Sequence, residues 1–225
     1  MSRNLNCVAF YGIIQEKTGD FVERRNNYLI QAGQAKTRFL TYDQQKLIDK
    51  FDLQFDETYL YVNLLCKQYR ISRTTGDLNR CSNEIWEDAN TFEEILTLLD
   101  LLCDSRDDRW LTGRWQNMQT FGLQFHQNLL EERRDPTADR FDRNPELLHR
   151  AAKALGAEAI PGGDMGYAFD LFEGLKIGLL FWHGDEDFLP RIRYLWDENA
   201  KQYIRYETMY YAVTLLRRRI AEVTR

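Results

Sequence analysis

The clearest alternation of apolar and polar positions lies between residues 166 and 220. Tyr167–Phe172 alternates aromatic and smaller side chains, which predicts a half-buried strand. Leu175–Trp182 is a nearly continuous apolar run, typical of a central strand covered on both faces. Arg191–Trp196 alternates a charged face with an aromatic one, and from Tyr206 to Ile220 apolar residues recur at three- and four-residue steps. This stretch therefore predicts a three-stranded meander that is closed by a helix.

The first half of the chain carries a shorter version of the same pattern. Residues 19–40 have apolar positions at helical spacing. Tyr59–Leu65 and Tyr69–Ser72 read as two strands, joined by a tight connection at residues 66–68. The sequence therefore predicts a helix followed by a β-hairpin.

Two capping boxes, in which a Thr precedes a Gln or Glu by three residues, mark further helix starts. Thr41 stands before Gln44, and Thr91 before Glu94. The second of these helices runs through Cys103 and is apolar nearly all round, so we expect it to be deeply buried.

The middle of the chain is its most charged part. Asn117–Arg134 has a helical apolar face, and Thr137–Arg143 reads as an exposed loop. Asn144 is then predicted to cap a new helix, with Pro145 at its first position and Gly156 just past its end.

The two halves resemble one another in sequence. YLYVNLLCKQYRI from Tyr59 aligns without a gap with YAFDLFEGLKIGL from Tyr167, and TFEEILTLLDLL from Thr91 aligns with RYETMYYAVTLL from Arg205. We therefore predict an α+β fold of two similar helix–β-hairpin–helix halves, with antiparallel sheets and helices packed outside.

We expect a single globular unit over residues 1–225. The first half spans residues 25–104, a helical and loop connection spans 105–143, and the second half, with its three-stranded meander and closing helix, spans 144–225.

Composition narrows the possible partners. The net charge is −5 and the pI about 5.4, which argues against nucleic acid and against anionic membranes as partners. The cysteines at positions 7, 66, 81 and 103 are widely spaced, with no CxxC pair, so we expect a reducing, cytoplasmic setting.

The most site-like segment is His183-Gly184-Asp185-Glu186-Asp187, which places one imidazole and three carboxylates at a turn. A divalent metal or polar ligand could bind there, because hard cations need several oxygen ligands. A solvated hairpin turn is the alternative. We name Trp182, His183, Asp185, Glu186 and Asp187 as candidate ligand-binding residues. Asp197 is expected to lie at the opposite end of the following strand and to cap the turn after it.

Several features resemble the carboxyl-terminal region of an uncharacterised prokaryotic domain-of-unknown-function family (DUF3786-like). They are the strand that ends at Gly184-Asp185-Glu186, the turn Asp197–Ala200, the closing helix Tyr206–Ile220 and the Thr112–Trp115 segment. The resemblance covers most of the chain from about residue 25. It implies a setting in anaerobes, where some relatives are fused to iron–sulfur modules, and it carries no established activity. Any such cluster would come from a partner, because this chain has no cysteine cluster.

Three functions remain open at this point. The dense aromatic set favours a non-catalytic binding or accessory protein that holds a small molecule or cofactor, of unknown identity, in an aromatic-lined cleft. The charged middle favours a protein–protein interaction module or homodimer. The acids near His183 favour a metal-assisted enzyme. No GxSxG, P-loop or GxGxxG motif is present, so we name no catalytic residue and no metal ligand.

Overall fold

A computed structural model describes residues 27–122 and 135–225. Within these ranges the chain forms six α-helices and two five-stranded antiparallel sheets. The helices are α1 (described over residues 27–41), α2 (Gln44–Phe51), α3 (Phe92–Asp104), α4 (Pro136–Arg143), α5 (Glu146–Ala154) and α6 (Tyr206–Val223). No helix in these ranges is long and apolar enough to cross a membrane.

The first sheet follows the chain in order, β1-β2-β3-β4-β5. Its strands are β1 (Gln54–Phe55), β2 (Tyr59–Leu64), β3 (Lys67–Ser72), β4 (Leu78–Ser82) and β5 (Ile85–Asp88). Leu65 and Cys66, both at positive φ, form the two-residue turn between β2 and β3.

The second sheet has the order β6-β10-β9-β8-β7, so its edge strand β6 comes from earlier in the chain. Its strands are β6 (Trp115–Asn117), β7 (Glu158–Ala159), β8 (Met165–Phe172), β9 (Leu175–Trp182) and β10 (Arg191–Asp197). The β8–β9 turn, Glu173-Gly174, again has positive φ at both residues.

Both sheets turn one face toward a single hydrophobic core, which also contains helices α3 and α6. On β9, Leu175, Ile177, Leu179 and Phe181 point inward and are fully buried. The sheets meet where the backbone amide of Leu65 donates to the carbonyl of Leu171, at 3.1 Å. We call the opposite face of each sheet its outer face.

The predicted hairpins, meander, buried helix and closing helix are confirmed. Helix α3 is buried along nearly its whole length, and Thr91 caps it as predicted, accepting from the Glu94 amide. The capping box at Thr41 is wrong, because Asp43 caps α2 and the Thr41 hydroxyl donates to the Arg38 carbonyl. The turn of the first hairpin comes one residue earlier than predicted, and helix α5 begins at Glu146.

Two further predictions need correction. The predicted loop 137–143 is helix α4, which Asp135 caps and which buries Ala138 and Phe141. The predicted helix 117–134 begins instead with the end of β6 and a 3-10 turn over Met118–Gly122, and the rest lies outside the described residues. Strands β1, β4, β5, β6 and β7 were not predicted.

Candidate functional site

The turn after β9 is fastened at its base by two carboxylates from other parts of the chain. Asp142 of α4 accepts from the Gly184 amide at 3.1 Å and lies 3.0 Å from His183 Nδ1. Asp164 accepts from the His183 amide at 2.7 Å. The hydrogen bonds from His183 and Gly184 lower the pKa of Asp142 below its ordinary value.

The acids of this turn serve its backbone or face solvent. One carboxylate oxygen of Asp185 accepts from the amides of Asp187 and Phe188, at 2.9 and 2.7 Å. Glu186 and Asp187 are exposed. Within the described ranges, no group of three or more His, Cys, Asp or Glu side chains could hold a metal ion.

Trp182, the remaining candidate, lies on the outer face of the second sheet beside two arginines. The guanidinium of Arg191 stands 4.5 Å from the ring centroid and that of Arg193 stands 5.5 Å away. The five sequence-predicted residues are therefore near one another along the chain, but Trp182 contacts arginines while the acids belong to the turn.

A groove of about 300 Å³ opens elsewhere on the same outer face, toward the other end of β10. Its apolar walls are the side chains of Leu111, Trp115 and Ile160, and Ala168 forms part of its floor. Three ionisable side chains, Glu158, Lys176 and Asp197, also line it. A concave, mostly apolar site with a few polar groups is typical of small-molecule sites, and this volume is at the small end of their range.

The groove depends on small residues in the middle of the sheet. Register pairs Ala168 of β8 with Gly178 of β9, and Gly178 with Leu195 of β10. A Cβ on Gly178 would stand only 3.3 Å from both Ile160 and the Trp115 ring. Because Gly178 has no side chain, both walls of the groove can rest directly on the sheet.

Asp197 holds the wall segment that contains Trp115. Its carboxylate accepts from the Thr112 amide at 3.1 Å, the Thr112 hydroxyl at 3.0 Å and the Gly113 amide at 2.7 Å. It also accepts from the Asn199 amide at 2.8 Å, which confirms that it caps the following turn. Asp197 lies at the far end of β10 from His183, as predicted.

An ion pair between two strands forms a polar part of the groove lining. Lys176 Nζ of β9 lies 2.6 Å from Glu158 Oε2 of β7, and Glu158 is the more exposed of the two. Beside them, burial raises the pKa of Asp170, and the neighbouring Lys176 partly opposes this shift.

The most buried charges do not line the groove but lie between the first sheet and α6. Arg219 contacts Glu94 at 3.5 Å and also donates to the Tyr69 hydroxyl, and Arg80 lies 2.6 Å from Glu94. Burial alone raises the pKa of Glu94, but the Thr91 and Tyr69 hydrogen bonds and the two arginines outweigh it, so the pKa is lowered. These contacts fasten α6 to α3 and the first sheet.

The sequence did not single out any groove residue as a ligand-binding residue. Trp115 stands in the Thr112–Trp115 segment that carries the family resemblance, which was a usable signal. Its position beside Asp197 depends on β6 joining β10, a contact between residues about eighty positions apart.

Comparison with known proteins places the chain in a family. The family model described as "Domain of unknown function (DUF3786)" matches residues 43–219, a span that includes every groove residue. No curated protein and no solved structure matches the chain. The resemblance seen in the sequence is thus confirmed, and the chain belongs to this domain-of-unknown-function family.

Proposed function

We propose that this protein is a non-catalytic binding protein that holds one small molecule in the groove on the outer face of the second sheet. The observation that carries this proposal is the concavity of about 300 Å³ that is lined by the apolar residues Leu111, Trp115 and Ile160 together with a few polar groups. Small-molecule sites combine these features.

The chemistry of the lining points to a flat, largely apolar molecule with one charged end. The Trp115 side chain lines the groove, and an aromatic wall favours a flat ligand. Lys176 can bind an anionic group, and a ligand carboxylate would compete with Glu158 for its ammonium. Glu158 is exposed and can turn toward solvent when displaced.

The test is native mass spectrometry on protein purified without oxygen, together with a UV–visible spectrum of the same sample. We expect one small molecule per chain in the wild type and in Trp110→Ala, and a bare chain in Trp115→Ala. Trp110 is the matched control because its side chain is 59% exposed and does not line the groove.

Two results would contradict the proposal. One is equal retention of a bound molecule by Trp115→Ala and Trp110→Ala. The other is a bare wild-type chain whose thermal stability no flat aromatic carboxylate raises, because a ligand that binds only the folded state must stabilise it.

We also infer that the two halves are an internal duplication. The gapless match between the hairpins, with a two-residue positive-φ turn at the same point in each, supports this origin. In both halves a helix, a short strand and a hairpin follow in the same order.

For the cellular setting we propose the cytoplasm of a prokaryote that lives without oxygen. Cys66, Cys81 and Cys103 are unpaired, which supports a reducing compartment, and the family resemblance supports the anaerobic setting. The net charge of −5 supports the absence of nucleic-acid and anionic-membrane partners.

A further inference from the structure

Two carboxylates from neighbouring strands share the ammonium of Lys176. Glu158 of β7 lies 2.6 Å from it, and the register of the sheet places Asp170 of β8 opposite Lys176 on β9. Burial raises the pKa of Asp170, Lys176 lowers it and Glu158 raises it, so the three charges act on one another. Because two carboxylates surround one ammonium, the region around Lys176 has an excess of negative charge.

The other acid of the groove lining, Asp197, adds negative charge but is already fully engaged. Its two oxygens accept four hydrogen bonds, from residues 112, 113 and 199. The Glu158–Lys176 pair differs, because the Glu158 side chain is 70% exposed and can change its partner. A ligand in the groove therefore meets an acidic field and one ion pair that can open.

This ion pair lies beside the aromatic wall of the groove. Lys176 stands two residues before Gly178 on β9, so both face outward, and the Trp115 ring packs against Gly178. Two residues of a strand span about 7 Å. A ligand whose ring lies against Trp115 can therefore reach the ion pair if a short link joins the ring to its charged end.

A ligand with a single charge fits this arrangement poorly. An anion would take Lys176 from Glu158 and add a third negative charge beside Glu158 and Asp170, and like charges this close repel one another. A cation would pair with Glu158 but would approach the ammonium of Lys176. A zwitterion avoids both costs, because its carboxylate can face Lys176 while its ammonium faces Glu158.

Building on the groove as the proposed ligand site, we propose that its ligand is an aromatic α-amino acid, which inserts both its charges between Lys176 and Glu158 and places its ring against Trp115. The ligand carboxylate accepts from Lys176 and the ligand ammonium donates to Glu158, so each member of the pair keeps a partner of opposite sign. The acidic field favours the ammonium, which is why the amino acid should bind better than the corresponding acid.

The experiment is isothermal titration calorimetry of the full chain, dialysed free of retained molecules, with three probes of similar shape. L-phenylalanine carries both charges, 3-phenylpropionate lacks the ammonium, and 2-phenylethylamine lacks the carboxylate. We expect L-phenylalanine to bind about tenfold more tightly than either analogue, because each analogue leaves one charged hydrogen bond unmade.

A matched pair of variants assigns the ammonium to Glu158. Glu158→Gln should remove the preference for L-phenylalanine over 3-phenylpropionate and keep the preference over 2-phenylethylamine. The control Glu186→Gln changes another exposed glutamate, one that does not line the groove, and should keep both preferences. Equal melting temperatures would show that both variants fold.

Three results would overturn this inference. Equal affinity of the wild type for L-phenylalanine and 3-phenylpropionate would make the groove an anion site, and tightest binding of 2-phenylethylamine would make it a cation site. Absence of binding by all three probes overturns it as well. The retention of a bound molecule by wild type and Trp115→Ala decides separately whether the groove holds a ligand at all.

Discussion

The outer faces of the two sheets can be compared row by row, because register pairs one position from each of the five strands. In the first sheet this row runs Gln54–Tyr61–Arg70–Asn79–Asp88. In the second it runs Glu158–Ala168–Gly178–Leu195–Asn117. Arg70 and Gly178 also fall at the same position when the two hairpin sequences are aligned.

The first sheet has a large side chain at the centre of its row, Arg70, whereas the second has Gly178 there, beside the small Ala168. The Arg70 guanidinium lies 4.2 Å from the Tyr59 ring centroid and 4.7 Å from that of Trp86, and it donates to Asn79 at 3.0 Å. In the second sheet Gly178 allows the side chains of Trp115 and Ile160 to pack directly against β9, where both line the groove. The first sheet thus covers this part of its outer face with its own side chains, whereas the second keeps a concavity.

The first sheet is fastened to the helices by a cluster of buried charges. Replacing the fully buried Arg219 by Met removes a partner of Glu94 and Tyr69, so we expect a loss of about 3 kcal/mol in the free energy of unfolding. Arg218→Met, one residue away but partly exposed, should cost less than about 1 kcal/mol. Urea denaturation of both variants checks this, and equal losses would contradict it.

Adding a single methyl group to the row of the second sheet should lower the free energy of unfolding more than removing a large side chain from the row of the first sheet. Gly178→Ala would place its Cβ 2.9 Å from Leu195 Cβ and against both groove walls, so we expect a loss of about 2 kcal/mol. Arg70→Ala should cost only about 1 kcal/mol in stability, because its cation–π stacking is partly exposed. Chemical denaturation of the two variants measures the difference. A larger loss of stability in Arg70→Ala than in Gly178→Ala would contradict the close packing of the groove walls on Gly178.

Asp197 is buried and lines the groove but is not part of the Glu94–Arg219 cluster. We predict that it holds the groove wall that contains Trp115. Asp197→Asn keeps the shape but replaces one accepting oxygen by a donor, so the hydrogen bond from the Gly113 amide is lost, whereas the Thr112 hydroxyl can accept from the new amide. We expect about 1 to 2 kcal/mol of destabilisation. The Trp115 side chain should also move faster, which would be seen as a lower fluorescence anisotropy. Unchanged stability would mean that the carboxylate does not hold this wall.

The smallest expected effect is on the dependence of stability on pH. The pKa of Glu94 is lowered from its ordinary value of 4.5, so its stabilisation is complete above that pH and is lost as the pH falls toward the lowered value. In the same acid range Glu94→Gln, which is less stable at neutral pH, should lose less stability than the wild type. Thermal melts between about pH 5 and about pH 3 test this. Parallel curves for the two proteins would contradict the assignment.

Much of the fold could be predicted because alternation and helical periodicity are local signals, as in Leu175–Trp182 and Tyr206–Ile220. Strands β4 and β5 were not predicted because LNRCS and IWED contain few apolar residues. Apart from Leu78, these strands have no buried residue. Helix α4 was not predicted because Ala138 and Phe141 are its buried apolar residues in an otherwise polar segment.

The groove could not be predicted because it depends on register between distant segments. Trp115 reaches Gly178 only after β6 has paired with β10, and a bulge near Leu171 in β8 sets which residues face outward. The dense aromatic set drew attention to Trp182, whose ring faces arginines instead. Local sequence patterns contain neither the pairing nor the bulge.

The most direct test of the central claim, that the second sheet and not the first holds the ligand, is fluorine NMR of protein labelled with 5-fluorotryptophan. The chain has five tryptophans, and single Trp→Phe variants assign their resonances. Titration with flat aromatic carboxylates should shift the Trp115 resonance saturably and leave those of Trp86 and Trp182 in place. A saturable shift at Trp86 or Trp182 without one at Trp115, or no saturable shift at any tryptophan, would contradict the account.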